Sequence, residues 1–341
     1  MRTLLISLAL ALLPGPAHAQ EIDPRAYLAE GVEQLRTRHY NAGDMDWPVV
    51  ESEAQALFDA QGGDIAAAHS AIRHVIDALG EEHSFLLPPV ELDRQRTQAE
   101  SAGPGAGSGP DGDPPVPVWR SVDGGIGYVT LPMLNMRLGG QDYATRYFDT
   151  LKNGLIAMDE ATTCGWIVDL RFNRGGNMWP MLWGLDPLLG EGPFGYFVTA
   201  TNRIPWTRTG GDADGPILPL PDARPDLLPA FELVNADRPL ALLLGEQTAS
   251  SGEMTAMALI GRGGVRSFGT ATAGLSTANS THTMPDGAHL VITVSNAADR
   301  TGTVADGALH PDVATSVENA PFAARDWLFE QCGHALPANG D

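Results

Sequence analysis

Hydrophobic residues recur at helical spacing in three segments near the N-terminus. The first segment opens with Asp23-Pro24, a typical cap and first turn, the second covers 50–58, and the third runs between Asp64 and the helix-stopping Gly80. The positions expected to face inward are Leu28, Val32 and Leu35 in the first helix, Val50, Ala54, Leu57 and Phe58 in the second, and Ile65, Ala68, Ile72, Val75, Ile76 and Leu79 in the third. The pattern predicts a small helical N-terminal subdomain.

A different pattern follows the stretch SAGPGAGSGPDGDPPVP at 101–117, in which ten of 17 residues are Gly or Pro, a composition typical of a linker. Downstream of it, short apolar runs alternate with helical periodicity, which predicts an α/β core. The predicted elements are strands over 126–131, 166–170 and 240–244, helices over 143–160 and from Ser251 to about Ile260, and a hairpin over 281–294 that turns at Asp286-Gly287.

The first residues predict export. Arg2, an apolar run from Leu4 to Leu13 and the small residues Ala17-His18-Ala19 form the pattern of a signal peptide. The chain is therefore divided into a signal peptide at 1–19, a helical subdomain at 20–97, a linker at 98–117 and an α/β core at 118–341. The expected location is the periplasm or the extracellular medium.

The net charge of the chain bears on its possible partners. The 341 residues carry 42 Asp plus Glu against 21 Lys plus Arg, a formal net charge of −21. This balance disfavours a nucleic acid or an anionic membrane surface as a partner. No segment after the leader is apolar for long enough to span a bilayer, so we expect no membrane span in the mature chain.

The two cysteines, Cys164 and Cys332, leave two readings open. In an oxidising compartment they could form one disulfide that closes a very long loop, or they could be two buried thiols. Neither lies in a motif that suggests a catalytic thiol.

Two strand–turn–helix units carry candidate chemistry. In GWIVDLRFNRGGN, the glycines Gly175 and Gly176 allow a tight turn that exposes backbone N–H groups to an anion or a developing oxyanion. In RPLALLLGEQTASSGEMTAMALIG, a helix begins at Ser250-Ser251, and a serine there suits a nucleophile. Ser250 and Glu253 also spell the S-x-x-E capping box, and helix capping is the favoured reading of this segment alone.

A nucleophilic serine needs a base, and His83 in LGEEHSF is the candidate, just past the third helix. Taken alone it would be an ordinary surface histidine. The other histidines show no metal-ligand spacing, so no metal site is predicted.

Taken together, these segments resemble the tail-specific, or C-terminal processing, serine peptidases, whose relatives include tricorn core protease and the interphotoreceptor retinoid-binding protein repeats. Four stretches carry the resemblance over about 25–95 and 118–318: LGEEHSFLLPP, IVDLRFNRGGN, TASSGEMTAMALIGR with FGTATAGLST, and DGAHLVITVSNAADRTGTVADGALHPDV. The resemblance implies a ClpP/crotonase-like α/β core. It implies Ser250 as nucleophile, with the N–H groups of Ser251 and of Gly176 (or Gly175) as the oxyanion hole.

The sequence departs from the Ser–Lys branch of that family. The lysine position is Leu275 here, and Lys152, the one lysine in the chain, lies far upstream. The tricorn-like branch uses a histidine and a late acid instead, which implies His83 as base and Asp306 as the acid, the latter after a one-residue shift in register. The linker occupies the place where many relatives carry a peptide-binding PDZ module, so recognition by such a module is not expected.

The sequence therefore predicts an exported serine peptidase that acts on a peptide or protein through an acyl-enzyme, without a metal or organic cofactor. In this prediction Ser250 attacks the carbonyl, His83 transfers the proton and Asp306 orients the imidazole. The alternative is a non-catalytic ligand- or peptide-binding protein on the same fold, as the retinoid-binding repeats illustrate. An esterase with the same acyl chemistry is a weaker third option.

Overall fold

The computed structural model describes residues 22–101, 113–122, 124–208 and 231–333. The predicted signal peptide and most of the predicted linker lie outside these ranges. The helices are α1 (Pro24–Arg38), α2 (Trp47–Ala60), α3 (Ile65–Ala78), α4 (Pro89–Ser101), α5 (Gly140–Asp159), α6 (Met178–Gly184), α7 (Asp186–Leu189), α8 (Ser251–Leu259) and α9 (Ala320–Cys332). The strands are β1 (Phe85–Leu87), β2 (Val118–Val122), β3 (Ile126–Thr130), β4 (Gly165–Asp169), β5 (Gly195–Val198), β6 (Arg203–Trp206), β7 (Leu240–Leu244), β8 (Val265–Gly269), β9 (Thr277–Thr283), β10 (His289–Ala298) and β11 (Val313–Ala314).

The three N-terminal helices form where the periodicity predicts them. The Asp23 carboxylate accepts the Arg25 N–H at 3.0 Å and begins α1, and Asp64 accepts the Ala67 N–H at 2.8 Å and begins α3. The apolar faces of the helices pack on one another and on β10, where Leu290 contributes a fully buried side chain to the same cluster. The helical region thus forms a core of its own, closed by a strand from the far end of the chain.

The α/β core is a six-stranded sheet in the order β11-β8-β7-β4-β3-β2. Its neighbours are parallel except for β2, which pairs with β3 in the antiparallel sense. One face packs on α5, α6 and α8, and the other packs on α9. The alternation of strands and helices seen in the sequence therefore produces the predicted α/β architecture.

A second, five-stranded sheet joins the helical region to this core. Its path is β1-β10-β5-β6, and β9 pairs with β10. The β9–β10 hairpin turns at Asp286-Gly287, as predicted, and extends further than expected at both ends. β1 follows the third helix directly and pairs with β10, which also pairs with β9. The segment that contains His83, just before β1, is thereby brought close to β9.

Two further features bear on the predicted organisation. The helix α4 continues to Ser101, into the segment assigned to the linker from residue 98, because its residues are mostly good helix formers such as Glu, Gln and Arg. Cys164 and Cys332 form a disulfide that ties α9 to the start of β4 across 168 residues of sequence. Within the described ranges, no helix combines the length and the apolar character needed to cross a bilayer.

Candidate active site

Ser250 occupies a sharp turn between a buried strand and a helix. The strand β7 ends at Leu244 and α8 begins at Ser251, so Ser250 stands at the helix entrance. Its backbone has φ 53° and ψ −121°, and among the described residues it is the only non-glycine residue with a positive φ. An ordinary N-cap residue has extended dihedrals, so capping does not require this conformation. Backbone strain of this kind is concentrated at functional sites, and a strained strand-to-helix turn is a known way to expose a nucleophilic serine.

A buried carboxylate supports the turn from below. Glu253 is 0% exposed, and its Oε2 accepts the Ser250 N–H at 2.9 Å. Its other oxygen accepts the Thr272 hydroxyl at 2.5 Å and the Gly274 N–H at 2.9 Å. Burial raises the pKa of Glu253 above its usual value, although these hydrogen bonds act in the opposite direction. The carboxylate half of the predicted capping box thus exists and fixes the backbone of Ser250.

The glycine turn lies directly against Ser250, because β4 and β7 are adjacent parallel strands whose carboxyl ends meet at one edge of the sheet. The turn comes so close that a Cβ added to Gly175 would lie 2.8 Å from Ser250 Cβ. A Cβ added to Gly176, which has φ 108°, would overlap the Leu134 carbonyl oxygen. Both positions therefore require glycine.

The backbone N–H groups at this turn differ in availability. The Gly175 N–H donates to Asn173 Oδ1 at 2.8 Å, so it is not available to an oxyanion, which rules against the Gly175 alternative. The N–H groups of Gly176 and Ser251 have no hydrogen-bond partner within the described part of the chain, and both residues line the same cleft as Ser250. The Ser251 N–H is one of the free donors of a helix N-terminus.

His83 is 8% exposed, and it contacts two residues that line this cleft without lining it itself. Its Nδ1 is 2.7 Å from Thr277 Oγ1, and its carbonyl oxygen accepts the Asn279 side-chain N–H at 2.9 Å. Thr277 and Asn279, both on β9, line the cleft together with Ser250. Among the described residues Nε2 has no hydrogen-bond partner. Burial lowers the pKa of His83, while the charge of Glu81 acts to raise it.

The structure corrects the expectation for Asp306. Asp306 is exposed, and no hydrogen bond joins it to His83, both of which are described. The hydroxyl of Thr277 occupies the Nδ1 position where the acid was expected. Thr277 is the last residue of the FGTATAGLST stretch, but nothing in the local sequence signals this contact, because it joins residues 194 positions apart.

Lys152 lies away from the site. It belongs to α5, and its Nζ is 5.8 Å from the ring centroids of both Phe148 and Phe231. Since it is the one lysine in the chain, no Ser–Lys pair forms at Ser250.

The cleft has a volume of about 570 Å³. Four methionines and a tryptophan give it an adaptable apolar lining, suited to side chains of varied shape. These residues are Met133, Met136, Met178, Met254 and Trp179. The described residues contain no cluster of three or more His, Cys, Asp or Glu side chains that could hold a metal ion.

Comparison with known families gives this arrangement its context. The family model "Peptidase family S41" matches residues 125–315, more than half of the chain, including Gly176 and Ser250. The chain belongs to peptidase family S41. The predicted family resemblance is thereby confirmed, and His83 lies outside the matched range.

Individual relatives cover most of this S41 chain. The nisin-resistance protein of Lactococcus lactis subsp. lactis is 28% identical over 264 residues, which are 76% of this chain and 73% of that protein. A solved lipoprotein from Streptococcus agalactiae is 23% identical, with a TM-score of 0.72 over 95% of this chain and 99% of its own. The photosystem II D1 C-terminal processing protease is 15% identical, with a TM-score of 0.58 over 87% of this chain and 94% of its own. These likenesses confirm the ClpP/crotonase-like fold.

Proposed function

We propose that this S41 family member is a serine peptidase that cleaves a peptide bond through an acyl-enzyme, with Ser250 as the nucleophile. The observation that carries the proposal is the strained backbone of Ser250, with its positive φ, beside the available N–H groups of Gly176 and Ser251. A carbonyl carbon attacked by Ser250 Oγ would place its oxygen next to these two donors.

His83 is the proposed general base. For Nε2 to accept the Ser250 proton, Nδ1 must carry the hydrogen, and Thr277 Oγ1 then accepts that hydrogen. The new Oγ–C bond forms as the proton passes to Nε2, and the C–N bond breaks as the same proton passes to the leaving amine. Water then attacks the acyl-enzyme by the same route and releases Ser250. The hydroxyl of Thr277 orients the imidazole in place of a carboxylate.

The proposed substrate is a peptide or protein, in keeping with the peptidase family and with the apolar cleft. The name of the curated relative refers to nisin resistance, so nisin is a compound to assay. We also propose export to an oxidising compartment, which is supported by the leader pattern at 1–19 and by the disulfide between Cys164 and Cys332.

The test is the intact mass of the mature protein after treatment with a fluorophosphonate probe. We expect one adduct on the wild type, which is lost in Ser250→Ala and reduced strongly in His83→Ala. Ser70→Ala is the control, because the Ser70 hydroxyl lies on α3 and bonds to the Ala66 carbonyl, and this variant should still form the adduct. A folded wild type without an adduct would overturn the proposal in favour of a non-catalytic binding protein. Hydrolysis of small esters but not of peptides would indicate an esterase.

A further inference from the structure

A mostly buried glutamate, Glu81, holds the backbone of the His83 segment. Glu81 Oε2 accepts the His83 N–H at 2.5 Å, and Oε1 accepts the Ser84 N–H at 2.9 Å. The Glu81 side chain is 12% exposed. One carboxylate thus fixes two consecutive amides, while Asn279 holds the His83 carbonyl on the other side. The backbone of His83 is therefore restrained at both its N–H and its carbonyl group, independently of its side-chain contacts.

A second histidine anchors this glutamate. His39 Nε2 lies 3.2 Å from Glu81 Oε1, and the His39 side chain is 0% exposed. The Asn41 N–H donates to His39 Nδ1 at 3.1 Å, so Nδ1 acts as an acceptor and the ring hydrogen of the neutral form is on Nε2, facing the carboxylate. The three donors on Glu81 stabilise its charged form. Burial acts to raise the pKa of Glu81, but the hydrogen bonds from His39, Ser84 and His83 outweigh it and lower the pKa to about 2.

Few of the described residues near His83 carry a charge. On its own segment these are Glu81 and the exposed Glu82, and His39 and Tyr40 pack against Glu81 from the end of α1. The β9 side presents the uncharged Thr277 and Asn279, and Arg137 lines the cleft further along. Burial raises the pKa of Tyr40, with a further contribution from Glu81, so Tyr40 is neutral. Of these groups, the charge of Glu81 is the one that offsets the effect of burial on the His83 pKa.

We propose that Glu81, anchored by His39, is the positioning carboxylate of this site. In a triad, an acid bonded to Nδ1 stabilises the charged imidazolium, and here Glu81 does so while bonded to the backbone of His83. Its charge favours the imidazolium that forms when His83 accepts the Ser250 proton. Its hydrogen bonds to two amides keep the ring in place. A triad acid both orients the imidazole and supplies a negative charge. In this site Thr277 orients the ring and Glu81 supplies the charge. This inference rests on the proposed function.

The test compares Glu81→Gln with the wild type in two measurements. Glutamine keeps the size and one oxygen acceptor but loses the charge. We expect the His83 pKa, measured by NMR titration of the imidazole, to fall, the acid limb of the kcat/KM profile to move to lower pH, and kcat/KM on the plateau to fall about tenfold. Glu81→Asp keeps the charge and should leave the acid limb near its wild-type position.

The direction of the pKa change separates the proposal from a purely structural role. If Glu81 only kept the segment folded, its loss would expose His83 to water, relieve the burial effect and raise the His83 pKa. A raised or unchanged His83 pKa in Glu81→Gln would therefore overturn the inference. Asp286→Asn is the matched control, since Asp286 also contacts a mostly buried histidine of the helical region, His69, at 2.9 Å but is not bonded to the His83 segment. This variant should lose stability without moving the acid limb.

The outcome can be separated from that of the proposed function. Failure of the wild type to react with the fluorophosphonate probe would contradict Ser250 as nucleophile. A reactive wild type, combined with a Glu81→Gln variant whose His83 titrates like that of Asp286→Asn, would contradict the role of Glu81 alone.

Discussion

His83 Nδ1 lies 2.7 Å from Thr277 Oγ1, although the two residues are 194 positions apart in the chain. A hydroxyl therefore stands where a Ser-His-acid site places a carboxylate. A hydroxyl can fix the tautomer and the orientation of the ring, but it carries no charge to stabilise an imidazolium. The orientation of the imidazole therefore depends on the Thr277 hydroxyl.

Thr277→Val should lower kcat/KM about 10- to 100-fold, because it leaves a buried ring nitrogen without its partner and lets the imidazole turn. Valine has nearly the same shape as threonine, so the packing of β9 is preserved. Thr277→Ser restores a hydroxyl and should recover most of the activity. The measurement is steady-state kinetics on a cleaved peptide, and equal rates for the valine and serine variants would contradict an orienting role.

Gly176→Ala should lower the free energy of unfolding by about 2–4 kcal/mol. The residue has φ 108°, and the added Cβ would overlap the Leu134 carbonyl oxygen, which is backbone and cannot turn away. Gly62→Ala is the control, with φ 100° and no atom within 4 Å of the added Cβ, and it should cost about 1 kcal/mol. Urea denaturation of both variants measures the difference. Equal losses would mean that the close approach to Leu134 is unimportant.

The stability contribution of Glu81 should depend on pH in acid. The folded protein holds the Glu81 pKa at about 2, below its ordinary value of 4.5. A lowered pKa means that the unfolded chain takes up the proton first, so the stabilisation is complete above about pH 5 and is lost as the pH falls toward 2. The difference in unfolding free energy between the wild type and Glu81→Gln should therefore shrink over this window, by at most about 3 kcal/mol. A difference that stays constant from pH 5 to 2.5 would show that the charge of Glu81 does not stabilise the fold.

Removing the disulfide should destabilise the protein without changing the site. The double variant Cys164→Ala/Cys332→Ala frees a loop of 168 residues in the unfolded chain and should lose about 3–5 kcal/mol of stability, as measured by urea denaturation. Reductant should lower the midpoint of the wild type and leave that of the double variant unchanged. The bridge lies at α9 and β4, so labelling of Ser250 in the folded variant should match the wild type. Equal midpoints for the oxidised wild type and the variant would mean that the bridge adds no stability.

The sequence by itself determined the local elements of this protein and the identity of its family. Apolar spacing with Asp caps predicted α1 and α3, and apolar runs predicted β3, β4 and β7, because helical periodicity and strand burial are properties of neighbouring residues. The strand-to-helix turns that contain Gly176 and Ser250 were visible for the same reason. Glycine and a helix-start serine leave a signature within a few residues.

Only the tertiary structure decided which groups meet. In the tertiary structure Thr277, and not Asp306, contacts His83. The Gly175 N–H donates to Asn173, and the Glu81 carboxylate accepts the His83 N–H. The contact between Thr277 and His83 depends on the pairing of β1 and β9 with β10, and β10 belongs to a core shared with helices from the far end of the chain. The Glu253 carboxylate that bonds the Ser250 N–H is likewise held by Thr272 and Gly274, about 20 residues further along the chain. Local sequence records the propensity of a residue, whereas the hydrogen-bond partners of a buried group depend on distant segments that folding brings together.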